Sequence, residues 1–169
     1  MIGALNVTPR LVSLAIAGLC LSSLGVALAA QYWGGIQPCV LCVYQRYAYL
    51  AALAFGLLGL ALADHRVAHR LTVGLAGLSF LAGAAIAFFH IGVEQKWWRG
   101  TDECHAPSLD PSLSIDEMKD LLLNQSFVAC DQIPWSLFGL SIAGWNFLAM
   151  LLFAGLCCWA LARLKESTA

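Results

Sequence analysis

Hydrophobic residues run in four long stretches along this chain, separated by polar segments of unequal length. Roughly Leu11–Ala30, Val43–Ala63, Leu71–His90 and Trp145–Ala162 are each apolar over about 20 residues, enough to cross a bilayer as a helix. Backbone in lipid must satisfy its own hydrogen bonds, so each span is predicted to be helical. Small residues recur within the spans, as Gly56 and Gly59, Gly74 and Gly77, and Ser79 and Gly83, and such positions let helices approach closely. The pattern predicts an all-α membrane protein: one integral domain over residues 1–169, a four-transmembrane-helix bundle with outer loops at 31–42 and 91–144.

The longer loop carries its own pattern. Ser114-Ile115-Asp116-Glu117 has the S-x-x-E form of a capping box, which marks a helix start. Ile115, Met118, Leu121, Leu122 and Phe127 then fall near one face, with Asp116, Lys119, Asp120 and Asn124 on the other, as in a short amphipathic interfacial helix. Ile133–Ile142 is apolar but too short to span and contains Pro134, so it is expected to lie in the interface and lead into the fourth span. Gly100, Pro107 and Pro111 around Cys104 read as a flexible loop that would let Cys104 reach a partner protein.

Composition agrees with a membrane protein. Hydrophobic residues make up 60% of the chain and charged residues 11%, against about 25% charged in soluble domains. The formal net charge of -1 comes with no basic stripe and no Gly-rich phosphate loop, so nucleic acid is not an expected partner. Lys and Arg concentrate on the cytoplasmic side of membrane spans. Arg10, Arg66, Arg70, Arg163 and Lys165 mark that side, while the 31–42 loop has no Lys or Arg. Both termini are therefore expected in the cytoplasm, with the two outer loops in the periplasm of a bacterial inner membrane. Trp33, Trp97, Trp98, Trp135 and Trp145 fall near the outer interface, where indole rings anchor well. Arg10, the first apolar run and Ala27-Leu28-Ala29 imitate a cleavable secretory signal. The run is of span length, however, and is read as a retained helix.

This topology sorts the seven cysteines. Cys20, Cys157 and Cys158 fall within spans, where cysteine is usually a small apolar packing residue. Cys39, Cys42, Cys104 and Cys130 lie at the outer face, in an oxidising compartment where thiols pair. Four cysteines allow three connectivities; Cys39–Cys42 with Cys104–Cys130 is the natural choice, one pair local and the other stapling the long loop.

Cys39-Val40-Leu41-Cys42 is a redox-capable CxxC at the mouth of a span, and Arg46 lies one turn after Cys42 on the same face. A guanidinium beside a thiol favours the reactive thiolate, and its N–H groups suit a quinone oxygen. Charge in a span is costly and points to function. Pro38 restrains the approach to the helix, Gln45 offers a polar contact, and Tyr47 and Tyr49 are candidates to line a ring-binding cleft. His90, at the outer end of the third span, is a candidate for contact with a quinone or a proton path, and His105 for polarising Cys104. A zinc site would need Cys104, His105 and Cys130 to join the CxxC across wide separations, and no metal is expected.

Pro38-Cys39-Val40-Leu41-Cys42 followed by Gln45-Arg46, Cys104 and Cys130 in a long second outer loop, and Trp135-Ser136-Leu137-Phe138-Gly139-Leu140 before the last span together resemble the bacterial disulfide bond formation protein B family, from about Leu11 to Ala162. The resemblance implies a four-helix inner-membrane oxidoreductase. Such an enzyme reoxidises a periplasmic thioredoxin-fold disulfide oxidase and passes the electrons to ubiquinone or menaquinone. It implies that Cys104 takes the partner's attack and Cys130 is its intramolecular partner. Cys39–Cys42 then receives the electrons, and Cys42, beside Arg46, meets the quinone, with His90 at the quinone site. A monomer can hold such a site. The competing reading is a non-catalytic membrane scaffold or metal-binding module whose disulfides are staples.

Overall fold

The computed structural model describes residues 7–104, 114 and 128–166. The interfacial helix expected over 115–127, His105, Pro107 and Pro111 lie outside the described residues.

Four helices, each long and apolar enough to cross a membrane, follow one another through the chain. They are α1 (Pro9–Tyr32), α2 (Val40–Ala61), α3 (Arg66–Glu94) and α4 (Ile142–Glu166). α1 opens with Thr8 as N-cap, its side chain accepting from Leu11 N at 3.3 Å, and with Pro9 in the first turn, where its missing N–H costs nothing. α3 exceeds its expected span at both ends. Burying one face of Arg66–Arg70 and of Ile91–Glu94 against neighbouring helices extends it past the purely apolar run on which the expectation was counted. α2 begins at Val40 rather than Val43, so the CxxC occupies the N-cap and opening turn of the helix itself.

α2 packs on α3, α3 on α4 and α1 on α2, with α1 reaching the other two only locally. The core between them centres on Tyr49, Phe80, Met150 and Phe153, all but Phe153 nearly inaccessible. The three aromatic rings meet edge-on at centroid distances of 5.4 to 6.5 Å, a favoured arrangement. The small residues act as expected at Gly56, which lies under Ile16, and at Gly83, under Met150 and Ala48. A Cβ at Gly59 would lie 2.7 Å from Thr72 Oγ1 and 2.8 Å from Ser13 Oγ. Gly74, in contrast, faces open space, and Ser79 returns its hydroxyl to Leu75 O. Large side chains such as Leu21, Leu57, Leu78 and Leu152 point outward from the helices, the surface a bilayer would cover.

At one end of the bundle Arg10 pairs with Asp64 at 3.2 Å, tying the start of α1 to the α2–α3 turn. Beside it, buried His69 donates to Pro9 O at 2.9 Å and lies 3.1 Å from Ser13 Oγ. The described parts of the two loops expected on the outer side gather at the other end. There the apolar stretch expected to lie in the interface and lead into the fourth span forms a hairpin, β1 (Ser136–Leu137) against β2 (Leu140–Ser141), directly before α4. Its two-residue turn, Phe138-Gly139, has φ of 51° and 79°, the left-handed pairing that suits the twist of a tight hairpin. Trp145 Nε1 donates to Leu137 O and pins the hairpin to α4.

Candidate functional site

The outer end of the bundle has its own small core, made of Cys39, Leu41, Val93, Cys104 and Cys130. The four candidate cysteines thus meet in one cluster, with Cys42 packed at its edge. Cys39 caps α2. Its Sγ accepts from Cys42 N at 3.4 Å and lies 3.1 Å from Cys42 Sγ, the two thiols being unbonded. Cys104 and Cys130 form a disulfide. The structure therefore holds the connectivity expected for the loop pair, beside a CxxC in its dithiol form.

Cys104 sits at the end of a single 3₁₀ turn, Asp102–Cys104. Tyr44 on α2 donates to Glu103 Oε2 at 2.5 Å and holds that turn down. Gly100 permits the fold, because a Cβ there would come within 2.7 Å of Cys104 Cβ. Cys104, expected in a flexible loop that would let it reach a partner, is only 2% accessible here. The glycine serves close packing here rather than mobility.

His90 joins the two cysteine pairs. Its Nε2 lies 3.5 Å from Cys39 Sγ and 3.2 Å from Cys130 O. Its Nδ1 receives a hydrogen bond from Gln45 Nε2 at 3.2 Å. One turn further along α3, buried Glu94 reaches within 3.9 Å of His90 Nε2 and accepts from Ser141 Oγ at 2.5 Å. Ser141 also takes Gly144 N, so the hairpin caps α4 and positions the Glu94 contact together. The sequence reading passed over Glu94, Ser141 and Asn146. A signal for them existed: a carboxylate four residues after His90 shares its face, and Asn146 is a lone amide in an apolar span.

Arg46 is half-buried, and Gln31 Oε1 at 2.6 Å and Ala27 O at 3.4 Å on α1 fix its guanidinium. The expectation paired it with Cys42 as the thiolate. In the structure, the hydrogen-bonding neighbours of the pair, Cys42 and the His90 imidazole, converge on Cys39. Hydrogen bonding with Cys42, then with the His90 imidazole, brings the Cys39 thiol down to about 4, against the opposing effect of burial. Arg46 and Cys42 share something else, the wall of a cavity of about 700 Å³ between α1, α2, α4 and the hairpin, which Gln45, His90 and Glu94 also line. The remaining lining is mostly apolar, including Val26, Ile142 and Trp135. Tyr49 also lines this cavity, while Tyr47 points outward.

Cys20 and Cys157 pack in the main core as expected, whereas Cys158 faces outward. Cys104 and Cys130 are spent on their disulfide, so the wide zinc set weighed from sequence does not assemble among the described residues. The ligating atoms of Cys39, Cys42 and His90 do lie within 4.8 Å of one another.

Comparison with known proteins gives a consistent result. The family model described as disulfide bond formation protein DsbB matches residues 9–160. The chain is 31% identical over 150 residues to a disulfide bond formation protein B of Stutzerimonas stutzeri, covering 83% of this chain and 86% of that protein. It is 33% identical over 163 residues to the one of Hahella chejuensis, covering 90% of each. The one of Chromohalobacter salexigens is 34% identical over 133 residues, 77% of each chain. No solved structure matches this chain.

Proposed function

This chain belongs to the disulfide bond formation protein B family, and from the geometry of its site we propose that it carries electrons from a periplasmic thioredoxin-fold disulfide oxidase, through its two cysteine pairs, to a membrane quinone. It is a multi-pass bacterial membrane protein and a thiol oxidoreductase of disulfide formation. The observation that carries the finer reading is the packing of a Cys104–Cys130 disulfide and a Cys39–Cys42 dithiol in one core, next to a cavity that Cys42 lines.

In this reading a partner dithiol gives two electrons and two protons to Cys104–Cys130, its thiolate attacking Cys104 and Cys130 leaving. The loop dithiol then reduces the Cys39–Cys42 disulfide and regains its own. The arrangement described, loop pair oxidised and CxxC reduced, corresponds to the state after that exchange. The hydrogen bonds on Cys39 favour the reduced form by holding its sulfur as thiolate.

A quinone, ubiquinone or menaquinone, bound in the cavity would supply a two-electron, two-proton acceptor. The cavity suits a flat ring: its walls are mostly apolar, its volume falls within the range of ordinary ligand sites, and Cys42, Gln45, Arg46 and His90 are among its polar lining. Arg46 would hold a ring oxygen, and Cys42 lies on the same wall. Glu94, on the same wall, would take a proton leaving the dithiol. The arginines at the Arg10–Asp64 end support cytoplasmic termini and a periplasmic redox end.

The test mixes purified protein with a reduced thioredoxin-fold oxidase and follows quinone absorbance, in parallel with a Cys42→Ser variant. The expected result is loss of oxidised quinone with the wild type alone. Unchanged quinone together with partner thiols that remain reduced would overturn the reading and favour a scaffold stapled by its disulfide.

A further inference from the structure

A line of hydrogen bonds crosses the bundle from α4 and α2 to the CxxC, and every bond in it points the same way. Tyr49 OH donates to Asn146 Oδ1 at 2.6 Å. Asn146 Nδ2 donates to Gln45 Oε1 at 2.5 Å. Gln45 Nε2 donates to His90 Nδ1 at 3.2 Å. The amide orientations are held by further acceptors on the same nitrogens: Leu41 O lies 3.1 Å from Gln45 Nε2, and Met150 Sδ lies 3.9 Å from Asn146 Nδ2. Turning Gln45 over would set its carbonyl oxygen against Leu41 O and its NH2 against Asn146 Nδ2. A nitrogen that accepts carries no proton, so His90 Nδ1 is bare and the ring proton is on Nε2. That N–H faces Cys39 Sγ and Cys130 O.

We propose that Gln45, Asn146 and Tyr49 are positioning residues whose relay holds His90 as the Nε2–H tautomer, so that it donates to Cys39 and not to Cys42. The assignment rests on the reading of Cys39–Cys42 as the redox dithiol, and it adds what selects between its two sulfurs. A sulfur that receives the imidazole N–H keeps the negative charge of the reduced pair. Donors aligned in series polarise one another and strengthen the last bond. The relay also makes the cluster of Cys39, Cys42 and His90 a poor metal site: a metal needs the Nε2 lone pair, which this tautomer does not offer. Among the described residues, the titratable and charged groups lining this neighbourhood are Cys42, Arg46 and Tyr49 from α2 and Glu94 from α3. α4 and the hairpin bring neutral Asn146 and Ser141, and Cys130 is held in its disulfide.

The test uses reduced full-length protein with no quinone and no partner, so its outcome is independent of whether electrons go on to either. Histidine labelled with ¹⁵N is introduced, and the His90 signals are assigned by their loss in His90→Asn. The expected wild-type spectrum has a bare Nδ1 and a protonated Nε2. Gln45→Glu, which can only accept at that point, is expected to move a proton onto Nδ1. Gln45→Met keeps the length of the side chain but loses the donor. It is expected to mix the tautomers and raise the pH midpoint of Cys39 alkylation by about one unit, a tenfold loss of thiolate below the midpoint. A protonated Nδ1 in the wild type overturns the proposal. So does an unchanged nitrogen pattern and alkylation midpoint in the folded Gln45→Met protein.

Discussion

Replacing His90 with leucine isolates the donor that sits between the cysteine pairs. The substitution keeps a side chain of moderate size in the buried position and removes the N–H that faces Cys39 Sγ at 3.5 Å. A hydrogen bond to a charged group contributes about 1.5–3 kcal/mol, or roughly one to two pH units for the group it stabilises. The Cys39 thiol, held at about 4 from an ordinary value of 9.0, should therefore titrate about one to two units higher in the variant. The sign follows from what is stabilised. A lowered thiol value contributes stability to the reduced fold that is fully present above pH 9.0 and is lost as pH falls through about 4. At pH 7 both proteins hold Cys39 as thiolate, so the amount of thiolate barely changes there. What changes is the free energy of the reduced form.

That difference is readable as a potential. For a two-electron couple about 1.4 kcal/mol equals 30 mV, so His90→Leu should lower the Cys39–Cys42 reduction potential by roughly 30–65 mV at pH 7. Electrons would then move less readily from the loop pair to the CxxC. Equilibration against glutathione buffers, followed by alkylation of Cys39 across pH, measures both quantities on one sample. A potential and a pH midpoint that both match wild type would refute the assignment of His90 as the donor that stabilises reduced Cys39.

Four further substitutions test the site and the packing of the bundle. Arg46→Met removes the charged donor from the cavity wall and should lower kcat/KM for quinone by about tenfold to a hundredfold. It should leave thiol exchange at Cys104–Cys130 intact, as read by mixed-disulfide formation on gels; equal quinone turnover would discount Arg46. Tyr44→Phe cuts the hydrogen bond to Glu103 that holds down the Cys104 turn. Reduction of the loop disulfide by a small thiol should then be several-fold faster, and an unchanged rate would mean that the contact does not limit access. Gly59→Val forces atoms against Thr72 and Ser13 and should destabilise the bundle by about 1–3 kcal/mol, seen as a lower unfolding temperature in detergent. Gly74→Val, facing open space, should not, and equal shifts in the two variants would contradict the packing argument.

Much of the fold was legible in the sequence because the lipid-spanning condition is severe. A run of about 20 apolar residues has few alternatives to a helix, and all four spans are present. Their ends were less legible. Hydropathy counts apolar side chains, whereas Arg66 and Glu94 are helical because the backbone continues into capped or buried turns. The hairpin at 136–141 was missed for a related reason: Phe138 carries a left-handed backbone that its residue type does not advertise. The cysteines were legible as chemistry, since a CxxC at a membrane surface has few uses. Their mutual geometry was not. No spacing rule announces that a loop residue 65 positions after Cys39, or 91 in the case of Cys130, packs with it in one small core. Arg46 stood out as a costly charge and Gln45 as a nearby polar contact, while Asn146 was passed over, although hydrogen-bond direction at His90 depends on both amides.

Burial of the loop disulfide has a consequence for the order of events. Cys104 is 2% accessible and Cys130 0%, so no macromolecular thiolate can attack Cys104 while the 3₁₀ turn is seated. Attack in line with the Cys104–Cys130 bond requires that turn to lift away from Tyr44 and Val93. Cys130 has a different anchor, since its carbonyl faces His90 on α3. Opening at the Cys104 side can therefore leave Cys130 beside Cys39. Under the proposed function, the sulfur released by a partner's attack would then be the one already next to the CxxC, and the next exchange would not depend on the loop finding its way back. On that reading the two sides of one disulfide would serve different tasks, Cys104 held by the hydrogen bond of Tyr44 to Glu103 and Cys130 by the histidine that also faces Cys39.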